Sequence, residues 1–320
     1  MDNQALKQIL AAYGVQGPAI GEPQKGYRNA AHRVTAPGVE SLNLILYKTE
    51  PGILARIKNA NAVGAAVAAA DLPARTLADP RILQIAAGER RKFAAIYHYL
   101  PGKTIPWEAY TMNHLKQLGK TMSDMHEVLK SYNVANLPEV AQENLQLNRR
   151  MLRYFADPQV ARAVRQKLKI HVAHADYTKL LSATQKLPSQ QALHMDFVRG
   201  NILFRGTHIT GILDFEKTAQ GHTLYDIART LAFLLVDCKY KPEDKIRKYF
   251  LHSGYIKRGA ARLKDVKIGN LSLLEELTNF FLLHDFYKFL RHNPYESLPH
   301  NEHFVRTKAM LLKRRLIARV

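Results

Sequence analysis

HMDFVRGNILFRGTHITGILDFEKTAQGHTLYDIAR, residues 194 to 229, is the stretch that organises the chain. Asp196 stands five positions before Asn201, and Asp214 follows beyond an apolar hairpin pattern. Ile202 to Phe204 and Ile209 to Leu213 are short apolar runs, with Arg205-Gly206-Thr207-His208 as a polar turn between them. A hairpin of that length folds back and returns Asp214 beside Asn201. One carboxylate and one amide oxygen then converge. Such oxygen ligands suit Mg²⁺, which keeps its remaining positions for water and phosphate. The plainer alternative is a hairpin whose flanking His, Asp and Asn only cap turns. Three polar anchors in this order around one apolar hairpin favour the site.

Composition sets the bounds. At 320 residues with 47% apolar content, the chain can bury a sizeable core and build two lobes. No run approaches a membrane-spanning length, and the polar start MDNQALKQ does not read as a secretory leader. Cys238 is the single cysteine, so a disulfide framework is excluded and a cytoplasmic location is expected. The formal charge of +20 bears on partners rather than fold. It disfavours a cationic small molecule unless a local acidic pocket overrides it. It adds weight to anionic partners such as phosphorylated metabolites, nucleic acid or an acidic membrane surface. A solvated basic surface is the plainer reading.

The motif resembles the aminoglycoside phosphotransferase and choline kinase superfamily, which shares the catalytic set of the protein kinases. That family carries His-x-Asp, four residues, Asn, then Asp-Phe, and a helix opening with Asp-Leu/Ile-Ala. Here Tyr225-Asp226-Ile227-Ala228 takes the last place, and Leu100-Pro101-Gly102 extends the likeness upstream. The resemblance implies an α+β, two-lobed protein-kinase-like fold: a small β-rich nucleotide lobe over residues 1–100 and a large, mainly helical lobe over 101–320. It implies ATP and Mg²⁺ as cofactors, Asn201 and Asp214 as metal ligands, and Asp196 as the group that orients and deprotonates the acceptor hydroxyl. Asp226 would brace the catalytic loop. Glu216 would reach a second ion or form a surface pair.

The remaining expectations follow chain order. In GYRNAAHRV, residues 26 to 34, the resemblance places a phosphate-covering loop at Gly26 and Asn29. Leu42 to Tyr47 reads as a strand ending at Lys48, which by its place in the motif order would meet the α/β phosphates. The next helix, about 53–70, departs from the family. It has no Glu to pair with the lysine, and the corresponding position falls near Asn61. In AAIYHYLPGKTIPW the resemblance puts adenine on the backbone near Tyr97, His98 and Tyr99. Residues 111–130 repeat Met112, Leu115, Leu118, Met122, Met125 and Leu129 at helical spacing, with His126 as a buried structural histidine. His171 and His174 are three apart but lack a nearby third ligand. Arg199 could touch a phosphoryl group or an anionic acceptor, and His284 and Asp285 on a late helix are candidates for the acceptor pocket. The end, 306–319, reads as a solvated basic helix.

The expected activity is transfer of the γ-phosphoryl of ATP to a hydroxyl of a small metabolite or antibiotic. The rivals are a catalytically silent module that keeps the fold, suggested by the missing helix Glu, and an enzyme or binder acting on an anionic macromolecule such as nucleic acid, suggested by the charge.

Overall fold

The computed structural model describes residues 2–25, 29–87, 90–172, 176–188, 190–256 and 268–320. The strands are β1 Ala19–Ile20, β2 Gln24–Lys25, β3 Ala30–Ala36, β4 Val39–Tyr47, β5 Leu83–Ala87, β6 Arg90–His98, β7 Ile170–Val172, β8 Gln191–Leu193, β9 Ile202–Arg205, β10 His208–Ile212, β11 Ala219–Gly221 and β12 Ile317–Arg319. The helices are α1 Asn3–Ala12, α2 Ile53–Ala68, α3 Met112–Leu129, α4 Val140–Ala156, α5 Pro158–Leu168, α6 Thr178–Gln185, α7 Leu224–Asp237, α8 Glu243–Arg247, α9 Ile268–His292 and α10 Glu302–Lys313. A π-helical stretch, Lys248–Ile256, follows α8.

The first six strands form one antiparallel sheet in the order β1-β3-β4-β6-β5, with β2 also on β3. Alternation along the central strands gives the sheet two faces. Leu42, Leu44 and Leu46 of β4, with Ala94 and Ile96 of β6, pack under Leu6, Ile9 and Leu10 of α1. Ile45, Tyr47, Ala95 and Tyr97 face the other way, onto Ile53 and Ile57 of α2. This parity matters for the site, because a one-residue step along β4 moves a side chain from one face to the other.

The rest of the chain is mainly helical. In α7 every residue but Phe233 is buried, and α7 packs on α9 within one core that includes Leu231, Leu234, Leu277 and Phe280. Each such side chain contributes about 1.5–3 kcal/mol when fully withdrawn from water. The segment expected to end as a solvated helix does so only in part. α10 stops at Lys313, and β12 pairs with β7, because Ile317 is apolar and buries itself there.

Two joints position the site. Pro73 to Arg75 run beside β10: Arg75 N–H donates to the Ile212 carbonyl at 3.0 Å, and Ile212 N–H to that of Pro73 at 2.7 Å. Lys103 and Phe204 exchange backbone bonds of 3.1 and 2.9 Å, which ties the segment after β6 to β9. Gly102, at φ 122°, precedes this joint, and a Cβ there would lie 2.3 Å from Thr210 Oγ1, so only glycine fits. Deeper in the helical part, α3 crosses the π-helical stretch at Gly119 and Gly254. A Cβ on Gly119 would meet the Phe250 carbonyl oxygen at 2.0 Å and Gly254 Cα at 3.0 Å.

Candidate active site

Asp196 lies in the loop between β8 and β9, and the residue is 9% exposed. Lys217 Nζ donates to Oδ1 at 2.7 Å, and Asn201 Nδ2 donates to Oδ2 at 3.1 Å and to the Asp196 carbonyl at 2.9 Å. Burial works to raise this carboxyl. The Lys217 ammonium, with Arg229 and the His194 ring behind it, outweighs burial and holds the group below its usual range. Asp196 is therefore ionised at neutral pH.

The asparagine contacts have a further consequence. Both partners of the Asn201 amide are acceptors, so its nitrogen must face Asp196 and its oxygen is turned elsewhere. The Asn201 carbonyl also accepts from Leu213 N–H at 2.8 Å, which brings the chain just before Asp214 alongside the asparagine. Asp214 itself adopts φ 55°, ψ 69°, a left-handed conformation that Asp tolerates better than most residues. One carboxylate and one amide oxygen form a set that fits a hard divalent cation. Among the described residues, no group of three or more His, Cys, Asp or Glu gathers as a metal site.

The loop is braced from behind. Asp226 accepts from His194 N–H at 2.8 Å, from Met195 N–H at 2.6 Å and from His126 Nε2–H at 3.0 Å. His126 Nδ1 shares a 2.8 Å hydrogen bond with the Tyr255 hydroxyl. Met195 sits at φ 60°, which costs an ordinary side chain about 1–2 kcal/mol, and its short bond to Asp226 holds it there. Burial would raise the Asp226 carboxyl, but its bonds to His126 and His194 keep it low. The His194 ring is buried and held neutral, chiefly by desolvation, so its tautomer follows from its partners. Nδ1 accepts from Asp196 N–H at 3.1 Å and Nε2–H donates to the Leu213 carbonyl at 3.0 Å. This one ring therefore links the residue before Asp214 to Asp196.

On the small-sheet side, Lys48 lies just past the end of β4 with an exposed side chain. The inward place belongs to Tyr47. Its hydroxyl hydrogen-bonds that of Tyr97, and Tyr97 donates to Asn61 Oδ1 at 2.9 Å. The Asn61 amide nitrogen is buried without a partner. The Arg75 guanidinium stacks over the Tyr97 ring, 4.5 Å from its centroid. Burial opposes its charge, and Tyr47, Tyr97, Asp214 and Glu216 together favour it and raise its pKa. Asn29 bridges the two sides: Nδ2 donates to Glu216 Oε1 at 2.7 Å, and Oδ1 accepts from Lys48 N–H at 3.2 Å. Glu216 is thus a buried group rather than a surface one.

The other expectations divide. Gly26 and His174 lie outside the described residues. His98 N–H donates to the Thr76 carbonyl and Tyr99 N–H to that of Ser41, both at 3.1 Å, so these two hinge donors are already used within the protein. Arg199 is exposed at the start of the turn leading to Asn201. His284 lines a cleft of about 410 Å³ together with Met195, Lys217 and Arg229, whereas Asp285 is buried and accepts from Arg229 at 3.1 Å. Sequence reasoning missed Lys217, Arg75 and the Tyr47–Tyr97 pair. For Lys217 the available signal was its place three residues after Asp214, at the end of a one-turn 3₁₀ helix, Phe215–Lys217, that carries it back toward the loop.

Homoserine kinase of Pseudomonas aeruginosa is 29% identical over 124 residues, which cover 37% of this chain and 35% of the relative. The matched region thus spans about a third of the curated relatives' length. A microcompartment-associated aminopropanol kinase superposes with a TM-score of 0.69 at 18% identity, covering 98% of each chain. An amicoumacin kinase solved with AMP-PNP, Ca²⁺ and amicoumacin gives 0.66 at 15% identity, over 98% of this chain and 96% of that one. The fold is accordingly protein-kinase-like, with its sheet in the N-terminal region and its helices mostly C-terminal. The family model for APH, the phosphotransferase enzyme family, matches residues 20–242, and the chain belongs to that family.

Proposed function

We propose that this protein is a small-molecule kinase that transfers the γ-phosphoryl of ATP, with Mg²⁺, to a hydroxyl group. The observation that carries the reading is the contact set of Asp196, Lys217 and Asn201. An ionised carboxylate is held there between a cation and an amide whose oxygen is free for a metal. Asn201 and Asp214 would hold the divalent cation, which neutralises phosphate charge when bound. Asp196 orients the acceptor hydroxyl and receives its proton as the new P–O bond forms and the β–γ bridging bond breaks, releasing ADP. Its low pKa makes it a weak base, which suffices where positioning and charge neutralisation carry most of the barrier. Lys217 spans Asp196 and the phosphoryl group in flight.

For the phosphate-facing cation we favour Arg75 over Lys48. Arg75 is pinned by its backbone to Ile212, two residues before Asp214, and its charge is drawn toward Asp214 and Glu216. The exposed Lys48 has neither tie. On this reading the absent helix Glu matters less, because Arg75 rather than a lysine would meet the phosphates. That removes the main argument for a silent module.

The test is a thermal shift with ATP, with and without Mg²⁺, on wild type and Asp214→Asn. Nucleotide at ten times its dissociation constant adds about 1.4 kcal/mol. In a chain of this size that is a rise of roughly 2–4 °C per kcal/mol. A Mg²⁺-dependent rise that disappears in the variant is expected. No rise with any nucleotide overturns the reading.

A further inference from the structure

Tyr255, near the end of the π-helical stretch, is buried far from any reacting atom, yet its hydroxyl joins the network behind Asp196. Burial pushes its phenol well above the usual tyrosine range, against a hydrogen bond with Thr223 that works to lower it. The hydroxyl therefore keeps its proton at any working pH. At the other end of the network the Asp226 carboxylate is ionised and can only accept.

The His126 ring lies between these two groups and is wholly buried. Nε2 faces Asp226 Oδ2 at 3.0 Å and must carry hydrogen there. In the neutral ring Nδ1 is then a bare lone pair, and the Tyr255 O–H at 2.8 Å is what satisfies it. Without that O–H, Nδ1 would be a buried acceptor with no partner. The ring would gain by turning about its side-chain axis or by moving its proton, and either change takes the N–H away from Asp226.

Asp226 spends its remaining capacity on two backbone donors. Oδ2 accepts from His194 N–H and Oδ1 from Met195 N–H. Met195 is the left-handed residue directly before Asp196, so a swing of the Asp226 carboxylate turns the peptide from which Asp196 departs.

We infer that Tyr255 is a positioning residue for phosphoryl transfer: through His126 its hydroxyl fixes the rotation of the Asp226 carboxylate, and so the backbone turn that aims Asp196 at the acceptor. The role given to Asp196 rests on the kinase reading. The link from Tyr255 to the loop rests on its own contacts.

The test compares wild type with Tyr255→Phe, which keeps the ring and its edge contact with His126 and removes only the hydroxyl. Tyr154→Phe, which loses a 2.9 Å hydroxyl bond to Tyr295, is the control. ADP release from MgATP, with water as the acceptor, should fall in Tyr255→Phe by roughly tenfold to hundredfold, the scale of a misplacement of about 1 Å. AMP-PNP affinity should be unchanged. Amide exchange at His194 and Met195 should quicken several-fold. The ¹⁵N signals of His126 should show a bare Nδ1 in wild type and move toward a protonated Nδ1 in the variant. His126→Gln keeps an N–H for Asp226, and removing the Tyr255 hydroxyl in that background should cost little more. Unchanged amide exchange and ¹⁵N signals in Tyr255→Phe overturn the inference. So does an equal fall in Tyr154→Phe, a full further fall in the His126→Gln background, or a loss of AMP-PNP affinity that parallels the rate. If wild type neither binds AMP-PNP nor releases ADP, the kinase reading is what fails, and amide exchange still decides whether Tyr255 holds the loop.

Discussion

The loop that carries Asp196 and the inward face of the N-terminal sheet meet at one site but are built differently. In the loop, Asp196, Asn201 and Asp214 come from nineteen consecutive residues, and their supports, His194 and Asp226, lie two residues before and twelve residues after that span. Across the cleft, Tyr47, Asn61, Arg75 and Tyr97 come from four separate elements or segments, and no short pattern joins them. The loop depends on bonds to the backbone N–H groups of His194, Met195 and Asp196, whose partners lie in the same stretch of sequence. The sheet side depends on where charge ends up, and another residue can deliver the same charge from another strand. A motif therefore identifies the first region well and the second poorly.

Substitutions should separate the two regions. The largest effect is expected from Asp196→Asn. Turnover, followed as ADP release, should fall by about 10²–10⁴-fold with nucleotide affinity nearly unchanged. A comparable loss of both in a folded variant would place Asp196 in binding rather than chemistry. Arg75→Gln should come next. Losing a charged contact to phosphate costs about 1.5–3 kcal/mol, roughly a tenfold to hundredfold rise in the KM for ATP, and Arg75→Lys should restore part of it. Lys48→Ala should leave that KM almost unmoved, and a large effect there would reverse the assignment.

A smaller, purely structural prediction concerns Asp285. Burial would raise its carboxyl, but Arg229 and Lys288 beside it bring it from 3.8 down to about 2. With a folded pKa below the unfolded one, the unfolded state binds more protons at low pH. The pair's stabilisation is thus complete above about pH 4 and fades as pH falls toward 2. The shift corresponds to about 2 kcal/mol. Urea unfolding between pH 5 and 2.5 should show this loss in wild type and a flatter acid limb in Asp285→Asn. Identical slopes would mean that the pair is energetically idle.

The legible part of the fold was periodic or local. β9 and β10 follow their apolar runs, and α3 follows its helical repeat, closing at Thr111 with a capping box in which His114 Nδ1 accepts from the threonine N–H at 3.0 Å. The register of β4 was also legible in principle, because Leu42, Leu44 and Leu46 share one face and Lys48 falls in the same series. Arg75 was not legible. Its position depends on a bridge between Ala74 and Ile212, more than a hundred residues apart, and nothing local to either segment encodes it. The hinge donors were hidden for the same reason, since the partner of His98 is Thr76 in an irregular segment.

The bare crossing of Gly119 and Gly254 works as a gauge. His126 is seven residues further along α3, and Tyr255 adjoins Gly254, so the two members of the Tyr255–His126 bond are both measured from that contact. Thickness there is the one dimension that the two helices cannot trade. A single methyl group inserted at the crossing would be distant from every reacting atom and chemically inert. Yet it would tilt the ruler from which Asp226, and through it the aim of Asp196, is set.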